Sequence, residues 1–530
     1  MDFSSFAGPF LPEILLLAGT LLIFLLDVVG VRHIEATGAV AVGATALALL
    51  FVVADLGFGP LSALATIPAG QVDALVAPGA TPLYAFTSLG LIFQGIFLLA
   101  AFFVALASMS RPSSERGAPI FYGLLLLATL GMLLVAIASD LIFLLLAIEI
   151  TSISTYLLVG YTRRDVRSLE AAMKFYIIGA LSTSLSFFGA SLLFGAYGTT
   201  NLYAIRAVAG GVGYPVLVLL GYGFLIAGLA FKATLVPFHA WAVDVYDGAP
   251  TDVTAFLTGG SKKVGLFAFF LVFLGPVLFV APGAGGSPFS GGTIDLGPIL
   301  QITLSILAVV TMTVGNVLAL LQKEMKRMLA YSSISQAGYM LIGIAIGTSP
   351  ALAGATLQMF AHVFMKTGAF LVVAGVAALG IGPLIDDWKG LGVRRPLVGV
   401  AFGLMLLSLA GVPLTIGFVS KFVLFSAAVQ AQGYFVWLAV AGLLNSALSV
   451  FYYARVLKVM FFDQPAPASL PAGAVVGGSD PPLLRAGGFG SARALAIALA
   501  AVAIVAFGIY PQPVLGAIQT AAQHFINVGA

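Results

Sequence analysis

The sequence predicts an all-α polytopic membrane protein of about 14 transmembrane helices, built as two inverted five-helix repeats with broken helices 7 and 12. Three observations carry this. The 530 residues are 61% hydrophobic and only 8% charged, with mean hydropathy +1.12, where a soluble domain carries about 25% charged residues. Fourteen apolar runs have roughly the 20-residue length that crosses a bilayer as a helix. The positive charges between those runs alternate in density, as loops on opposite sides of a membrane do.

Spans 1–3 cover about 11–31, 36–57 and 83–109, within an N-terminal segment 1–110. No basic region or cleavage site precedes the first run, so it reads as a retained helix. Spans 4–8 lie near 120–138, 141–161, 171–197, 213–236 and 249–281, the last interrupted, and form a first repeat over 120–281. Spans 9–13 lie near 299–321, 331–347, 351–380, 398–426 (interrupted) and 434–460, a second repeat over 299–460. The Pro-, Gly- and Ser-rich stretch 461–490 reads as a loop, and span 14, near 492–511, belongs to a C-terminal segment 492–530.

Loops after odd-numbered spans carry Arg32; Arg111 and Arg116; Arg163, Arg164 and Arg167; Lys323, Lys326 and Arg327; Lys389, Arg394 and Arg395; and Arg485 and Arg493. Loops after even-numbered spans carry Arg206 alone. The positive-inside rule then places odd loops in the cytoplasm and both termini outside a cell inner membrane. Span 7 ends in Lys232-Ala-Thr-Leu-Val-Pro237, and span 12 contains Gly411-Val-Pro413 and reaches Lys421. These two interrupted spans are five apart. An odd offset reverses direction across the bilayer, which is the mark of an inverted repeat relating spans 4–8 to spans 9–13.

Composition also excludes chemistry. With no cysteine, the chain holds no disulfide, iron–sulfur cluster or thiolate metal site. Four histidines leave little room for haem or metal ligation, and a net charge of +3 is too small to point to nucleic acid. No phosphate-binding loop, Rossmann fingerprint or catalytic triad stands in a suitable context.

What the sequence offers instead is charge inside apolar runs. Lys232, Lys262, Lys366 and Lys421 each interrupt one. A lysine near the bilayer centre costs about 2.5–3.5 kcal/mol on insertion scales, so four unpaired ones cost on the order of 10 kcal/mol. An ion or proton path is the default function for such residues, with snorkelling to an interface as the plain structural alternative. Glu149 lies mid-span 5 and reads as an ion-pair partner for an embedded lysine, or as a structural hydrogen bond. Lys232 sits near Pro237, where desolvation favours the neutral amine and a carboxylate favours the ammonium, together making a proton switch. Lys262 and Lys263 follow Gly259-Gly260-Ser261, a sequence expected to unwind its helix locally. Neighbouring helical residues point about 100° apart, so only one of the two faces the path. His362 and Lys366, four apart, share a helix face and suit a stepwise relay or an interhelical contact. Lys421 follows the span 12 break and reads as the outward exchange group. His239, with Trp241, Asp244 and Asp247, fits a cytoplasmic proton entrance or a polar loop with an aromatic anchor. Asp27 and Asp252 are ambiguous, and Asp140 reads as a helix N-cap.

Several segments resemble the antiporter-like membrane subunits of respiratory complex I, in the subunit N branch of proton-pumping NADH:quinone oxidoreductases and their archaeal deazaflavin-oxidising relatives. They are Leu11-Pro-Glu-Ile14, Ala138-Ser-Asp-Leu141 through Glu149, Ser168-Leu-Glu-Ala-Ala-Met-Lys174-Phe-Tyr176, Phe231 through Trp241, Asp244 through Pro250, Leu329 through Gly338, Ser408 through Pro413 and Asn445 through Tyr453. The resemblance implies a glutamate on helix 5 (Glu149) and relay lysines on helices 7 (Lys232), 8 and 12 (Lys421). It favours Lys262, which follows a serine, over Lys263. His362 and Lys366 look more like the other antiporter-like paralogues. It further implies a redox-driven proton pump in which protons enter near helices 7 and 8 and pass from Lys232 through Lys262 toward Lys366 and Lys421. No cofactor is expected on this chain; flavin or deazaflavin, iron–sulfur clusters and quinone are expected in partner subunits, beside other membrane subunits, peripheral redox subunits and lipid. A subunit of a multisubunit Na+/H+ antiporter shares the fold and the lysines, and a membrane anchor of a hydrogenase-like complex would keep the lysines as structure.

Overall fold

Long apolar runs fold as helices because hydrocarbon offers no partner to a free N–H or C=O. A computed structural model describes residues 8–67, 71–73, 82–111, 117–162, 165–208, 214–274, 296–464 and 489–527. Arg116, Arg163, Arg164, Arg485 and most of the expected 461–490 loop lie outside the described residues. Among the described residues there is no strand, and 13 helices are long and apolar enough to cross a membrane. They are α1 (Leu11–Val28), α2 (Ile34–Asp55), α3 (Ser88–Ser108), α4 (Ala118–Ala136), α5 (Leu141–Val159) and α6 (Val166–Tyr197), α7a (Pro215–Ala233) and α8 (Thr251–Phe273), α9 (Leu296–Leu320) and α10 (Met325–Ile346), α11 (Ser349–Ala378), and α13 (Phe435–Phe461) and α14 (Ser491–Ile509). The fourteenth crossing is the broken span 12, formed by α12a (Pro396–Ala410) and α12b (Ile416–Gln430). The chain is thus a multi-pass membrane protein with the expected number of crossings.

Local sequence sets the helix ends. Thr87 Oγ1 accepts from the Gly90 N–H at 2.9 Å to start α3, and Asp140 Oδ1 accepts from Ile142 and Phe143 at 2.8 and 3.2 Å to start α5, the N-cap expected of it. Proline stands in the first turn of α4, α7a and α12a, where its missing N–H leaves no gap. At the break in span 7, Thr234 takes φ +59°, the chain turns through Pro237, and it resumes as α7b (Ala240–Gly248). At the break in span 12, Gly411 takes φ +92°, a conformation that favours glycine.

Burial divides the bundle. α8, α10 and α11 are enclosed almost all round, with α3 beside them. α6, α9, α13 and α14 present apolar faces outward, including Leu181, Ile306, Leu443 and Val502, as lipid or another apolar subunit requires. Close approach is needed where α8 crosses the end of α7a. A Cβ on Gly265 would stand 2.5 Å from Ala233 N and 2.7 Å from Lys232 C.

Contacts between loops test the topology directly. On one face, Arg111 Nε reaches Asp252 at 2.8 Å and Arg493 reaches the same carboxylate at 3.3 Å. Lys326 Nζ donates to the Ala249 carbonyl at 3.0 Å, and Ile385 N donates to the Lys323 carbonyl at 2.8 Å. Every one of these joins segments flanking odd-numbered loops. On the other face, Ser139 and Asn201 both donate to the Pro82 carbonyl at 2.7 Å, and His524 lies 3.1 Å from Asp73. His524, near the end of the last described helix, therefore lies on the even face beside Asp73.

The structure departs from the sequence reading at four places. The Gly259-Gly260-Ser261 stretch does not unwind; α8 stays continuous by widening into a π turn at Leu257–Ser261. Two further π turns, at Phe270–Leu274 in α8 and at Val363–Thr367 in α11, had no signal in glycine or proline. Residues 240–248 form α7b rather than a loop. A further helix, α15 (Gln512–Asn527), follows α14 and packs on α11 and α3.

The crossing at Gly265 yields a stability prediction. Gly265→Ala is expected to lower the thermal midpoint of the detergent-solubilised protein by the equivalent of about 1–3 kcal/mol, the usual cost of overpacking. Gly223→Ala, whose new methyl meets nothing within 4 Å, is expected to leave it unchanged. Equal melting of the two variants would contradict this packing.

Candidate functional site

The expected lysines converge on the enclosed helices. Glu149 sits half-buried on α5 and accepts from Thr183 Oγ1 of α6 at 2.5 Å. Three residues on, Ser152 lies on the same face. Its hydroxyl donates to the Ile148 carbonyl at 2.7 Å and accepts from Lys232 Nζ at 2.9 Å. Lys232, in the last turn of α7a, is 4% exposed. Glu149, Ser152, Ser182, Thr183, Ser186 and Lys232 line a cavity of about 20 Å³, room for a single water. The glutamate thus stands near Lys232 with a hydroxyl between them rather than in direct contact.

Lys262 and Lys263, neighbours on α8, diverge as adjacent helical positions must. Lys262 Nζ donates to Ser333 Oγ of α10 at 2.8 Å and lies 5.6 Å from the centre of the Tyr246 ring on α7b. Lys263 Nζ turns back to the π turn of its own helix, donating to the Thr258 carbonyl at 3.2 Å and to the Gly259 carbonyl, and lies 3.4 Å from His362 Nδ1. His362 and Lys366 belong to α11, but Lys366 lies within the π turn that His362 precedes, and they take different partners. His362 faces Lys263 of α8, and Lys366 Nζ donates to Ser332 Oγ of α10. Adjacent serines of one helix therefore receive Lys262 and Lys366.

Lys421, on α12b, reaches back across the break to α12a and donates to the Leu409 and Ala410 carbonyls at 2.9 and 3.1 Å. These are terminal carbonyls that α12a leaves without intrahelical partners, at the end where its dipole favours a cation. The Tyr339 ring centre lies 4.9 Å from the same Nζ. A groove of about 510 Å³, lined by Gly411, Phe418, Lys421, Phe422, Ser426 and Leu443, opens beside it. At the span 7 break the equivalent duty falls to neutral groups. Trp241 Nε1 donates to the Phe231 carbonyl at 3.2 Å, and Thr311 Oγ1 of α9 accepts from the Val236 N–H at 3.1 Å. Trp241 is therefore a brace of the break, stacked on Phe175 at 4.4 Å. His239 starts α7b, half-buried, and Asp244 and Asp247 line a charged cleft of about 310 Å³ with Arg167, Glu170, Lys174 and Arg327 on the odd face.

Among the described residues, none of Lys232, Lys262, Lys263, Lys366 and Lys421 forms an ion pair; each ends on a hydroxyl, a carbonyl or a ring nitrogen. Among the described residues, no group of three or more His, Asp or Glu side chains is placed to hold a metal. The residues that sequence reasoning passed over are the serines that receive three of the lysines, Ser152, Ser332 and Ser333, and the buried Gln336, Gln358 and Ser420, which bond one another near Lys421. A signal was present on α10, where Ser332, Ser333, Gln336 and Tyr339 follow helical spacing along one face of a buried span.

Comparison with known proteins identifies the family. The family described as NADH:quinone oxidoreductase/Mrp antiporter, TM, matches residues 138–449. Subunit N of the F(420)H(2) dehydrogenase of Methanosarcina mazei is 41% identical over 434 residues, covering 79% of this chain and 80% of that one. NADH-quinone oxidoreductase subunit N of Trichlorobacter lovleyi is 44% identical over 376 residues, covering 70% and 73%. A chain of the respiratory complex I of Thermus thermophilus superposes with TM-score 0.72 at 29% identity, over 96% of this chain and 99% of that one. A chain of the Mrp complex of Dietzia sp. gives TM-score 0.80 at 21% identity, over 99% and 98%, a likeness of fold. The protein belongs to the NADH:quinone oxidoreductase/Mrp antiporter family of membrane subunits, in its subunit N branch.

Proposed function

We propose that the chain is a proton-translocating, antiporter-like subunit of a redox-driven quinone oxidoreductase of the complex I type, in the cell inner membrane with both termini outside. The observation that carries the reading is that Lys232, Lys262, Lys366 and Lys421 lie buried on neutral partners. A lysine at membrane depth marks an ion or proton path by default. With no ion pair, nothing compels these four to keep their protons, so their charge is free to come and go.

Protons would enter from the cytoplasm at the odd face, where the charged cleft at α7b and the start of α8 lie, with Asp244, Asp247 and His239 on the way. Lys232 and Lys262 receive them. A hydroxyl both accepts and donates, so the Ser333–Ser332 pair joins Lys262 to Lys366. Lys421 then releases protons to the outside through the groove beside α12b and α13. Lys263 and His362 bond each other and the π turn, so Lys262 is the relay of the doublet. Glu149 acts on Lys232 across Ser152 and the one-water cavity, and a charge change next to Glu149 in a neighbouring subunit would reset Lys232. Segments 120–281 and 299–460 serve as two halves of the path. Electron transfer, with flavin or deazaflavin, iron–sulfur clusters and quinone, belongs to peripheral and membrane partners. Each proton moved against 100 mV requires about 2.3 kcal/mol, which those partners supply.

Two predictions test the assignments. In the whole complex reconstituted in vesicles, Lys232→Ala and Lys262→Ala are expected to reduce donor-driven proton uptake by on the order of 10²-fold, the lower range for one positioned acid–base group. Lys263→Ala is expected to retain pumping and to lose about 1–3 kcal/mol of stability, because the π-turn carbonyls lose their donor. Full pumping by Lys262→Ala would sink the relay. Separately, Glu149→Gln, which keeps shape and removes charge, is expected to lower the number of protons moved per electron several-fold while assembly is unchanged. A normal ratio would remove Glu149 from the coupling.

A further inference from the structure

A second set of buried polar side chains closes around Lys421. Gln336 of α10 donates from Nε2 to the Leu409 carbonyl at 3.4 Å. Gln358 of α11 donates from Nε2 to Gln336 Oε1 at 2.7 Å, and Ser420 Oγ of α12b donates to Gln358 Oε1. Lys421 Nζ donates to the same Leu409 carbonyl at 2.9 Å, and the peptide linking Ser420 to Lys421 completes a ring. Gln336, Gln358 and Ser420 are fully buried.

The direction of this ring follows from its one fixed member. A carbonyl only accepts, so Gln336 presents its Nε2 to Leu409 and its Oε1 to Gln358. Gln358 must answer with Nε2, which leaves its Oε1 for the Ser420 hydroxyl. No step of the ring reverses without setting two oxygens face to face. An amide is not among the side chains that titrate in the aqueous range. Gln336 also stands three and four residues beyond Ser333 and Ser332, on the same face of α10. The two amides therefore lie between the serines that receive Lys262 and Lys366 on one side and Lys421 on the other.

We propose that Gln336 and Gln358 are positioning residues that insulate Lys421 from Lys366. The amide pair shares the Leu409 carbonyl with Lys421 Nζ and itself neither gains nor loses a proton, and the titratable Tyr453 hydroxyl of α13 lies beside Ser332 and Gln336. In this conformation Lys421 exchanges its proton through the groove beside α12b and α13, and transfer from Lys366 requires the Gln336–Gln358 bond to open. Such a break keeps the relay from conducting protons backward when no electrons flow. The inference rests on the proton-translocating reading above.

The test uses the intact complex in vesicles holding a pH-sensitive dye. An imposed pH step is followed with no electron donor present. Gln358→Glu puts a titratable group into the ring, and its passive leak is expected to exceed the parent's by on the order of 10²-fold. Gln358→Met breaks the same bonds and adds nothing that titrates, so it is expected to stay as tight as the parent. Gln336→Glu gives the same readout from the other amide if the first variant fails to assemble. Glutamate variants as tight as the parent, or a methionine variant as leaky as the glutamate one, overturn the insulation. Donor-driven acidification by the parent in the same vesicles reports on the underlying reading. Its absence sinks that reading, whereas a pumping parent with tight glutamate variants sinks only the inference.

Discussion

Inside hydrocarbon every backbone N–H and C=O must find its partner within the bundle, and the site is built from the places where regular helix fails to supply one. Two breaks and the π turn of α8 free carbonyls at membrane depth. Lys421 takes those at the end of α12a, Lys263 takes those of the α8 π turn at Leu257–Ser261, and Trp241 adds a second donor to the Phe231 carbonyl, which also accepts from Thr234 N at the end of α7a. Backbone irregularity and buried charge thus satisfy each other, and both depend on α8, α10 and α11 being enclosed by the remaining helices. Gly265 lets α8 lie against α7a closely enough for the arrangement to exist.

The same economy shapes the electrostatics. A carboxylate beside each lysine would stabilise its charge and hold its proton. The bundle instead supplies hydroxyls, carbonyls and a single half-buried glutamate, set one hydroxyl away from Lys232. Adjacent serines on α10 receive the lysines of α8 and α11, and one turn on, Gln336 of the same helix bonds Gln358 of α11. In the proposed relay the hydroxyls pass a proton and the amides do not.

Much of this was legible in the sequence, for physical reasons that also mark where reading stopped. Apolar run length and loop charge placed fourteen crossings, and contacts such as Arg111–Asp252–Arg493 on one face and Asn201–Pro82 on the other follow that alternation. Charge in an apolar run is expensive enough to stand out, so Glu149, Lys232, Lys262, Lys366 and Lys421 were evident. Proline and glycine marked both breaks. The π turn at Val363–Thr367 carries neither and left no trace, and without it His362 and Lys366 read as one aligned pair. Ser152, Ser332, Ser333, Gln336 and Gln358 were overlooked because a serine or glutamine in a membrane helix is cheap, and its importance comes only from what lies across from it. The different partners of Lys262 and Lys263 likewise needed the neighbouring helices, since α8 sends one to α10 and the other back onto itself.

The most direct test of the account is to purify the complex through a tag on this chain, reconstitute it in vesicles, and follow proton movement on adding its electron donor, with and without sodium. Redox subunits are expected to co-purify, and proton uptake is expected to start with the donor and to be independent of sodium. Proton movement that needs sodium and no donor, from an assembly of membrane subunits alone, would contradict it.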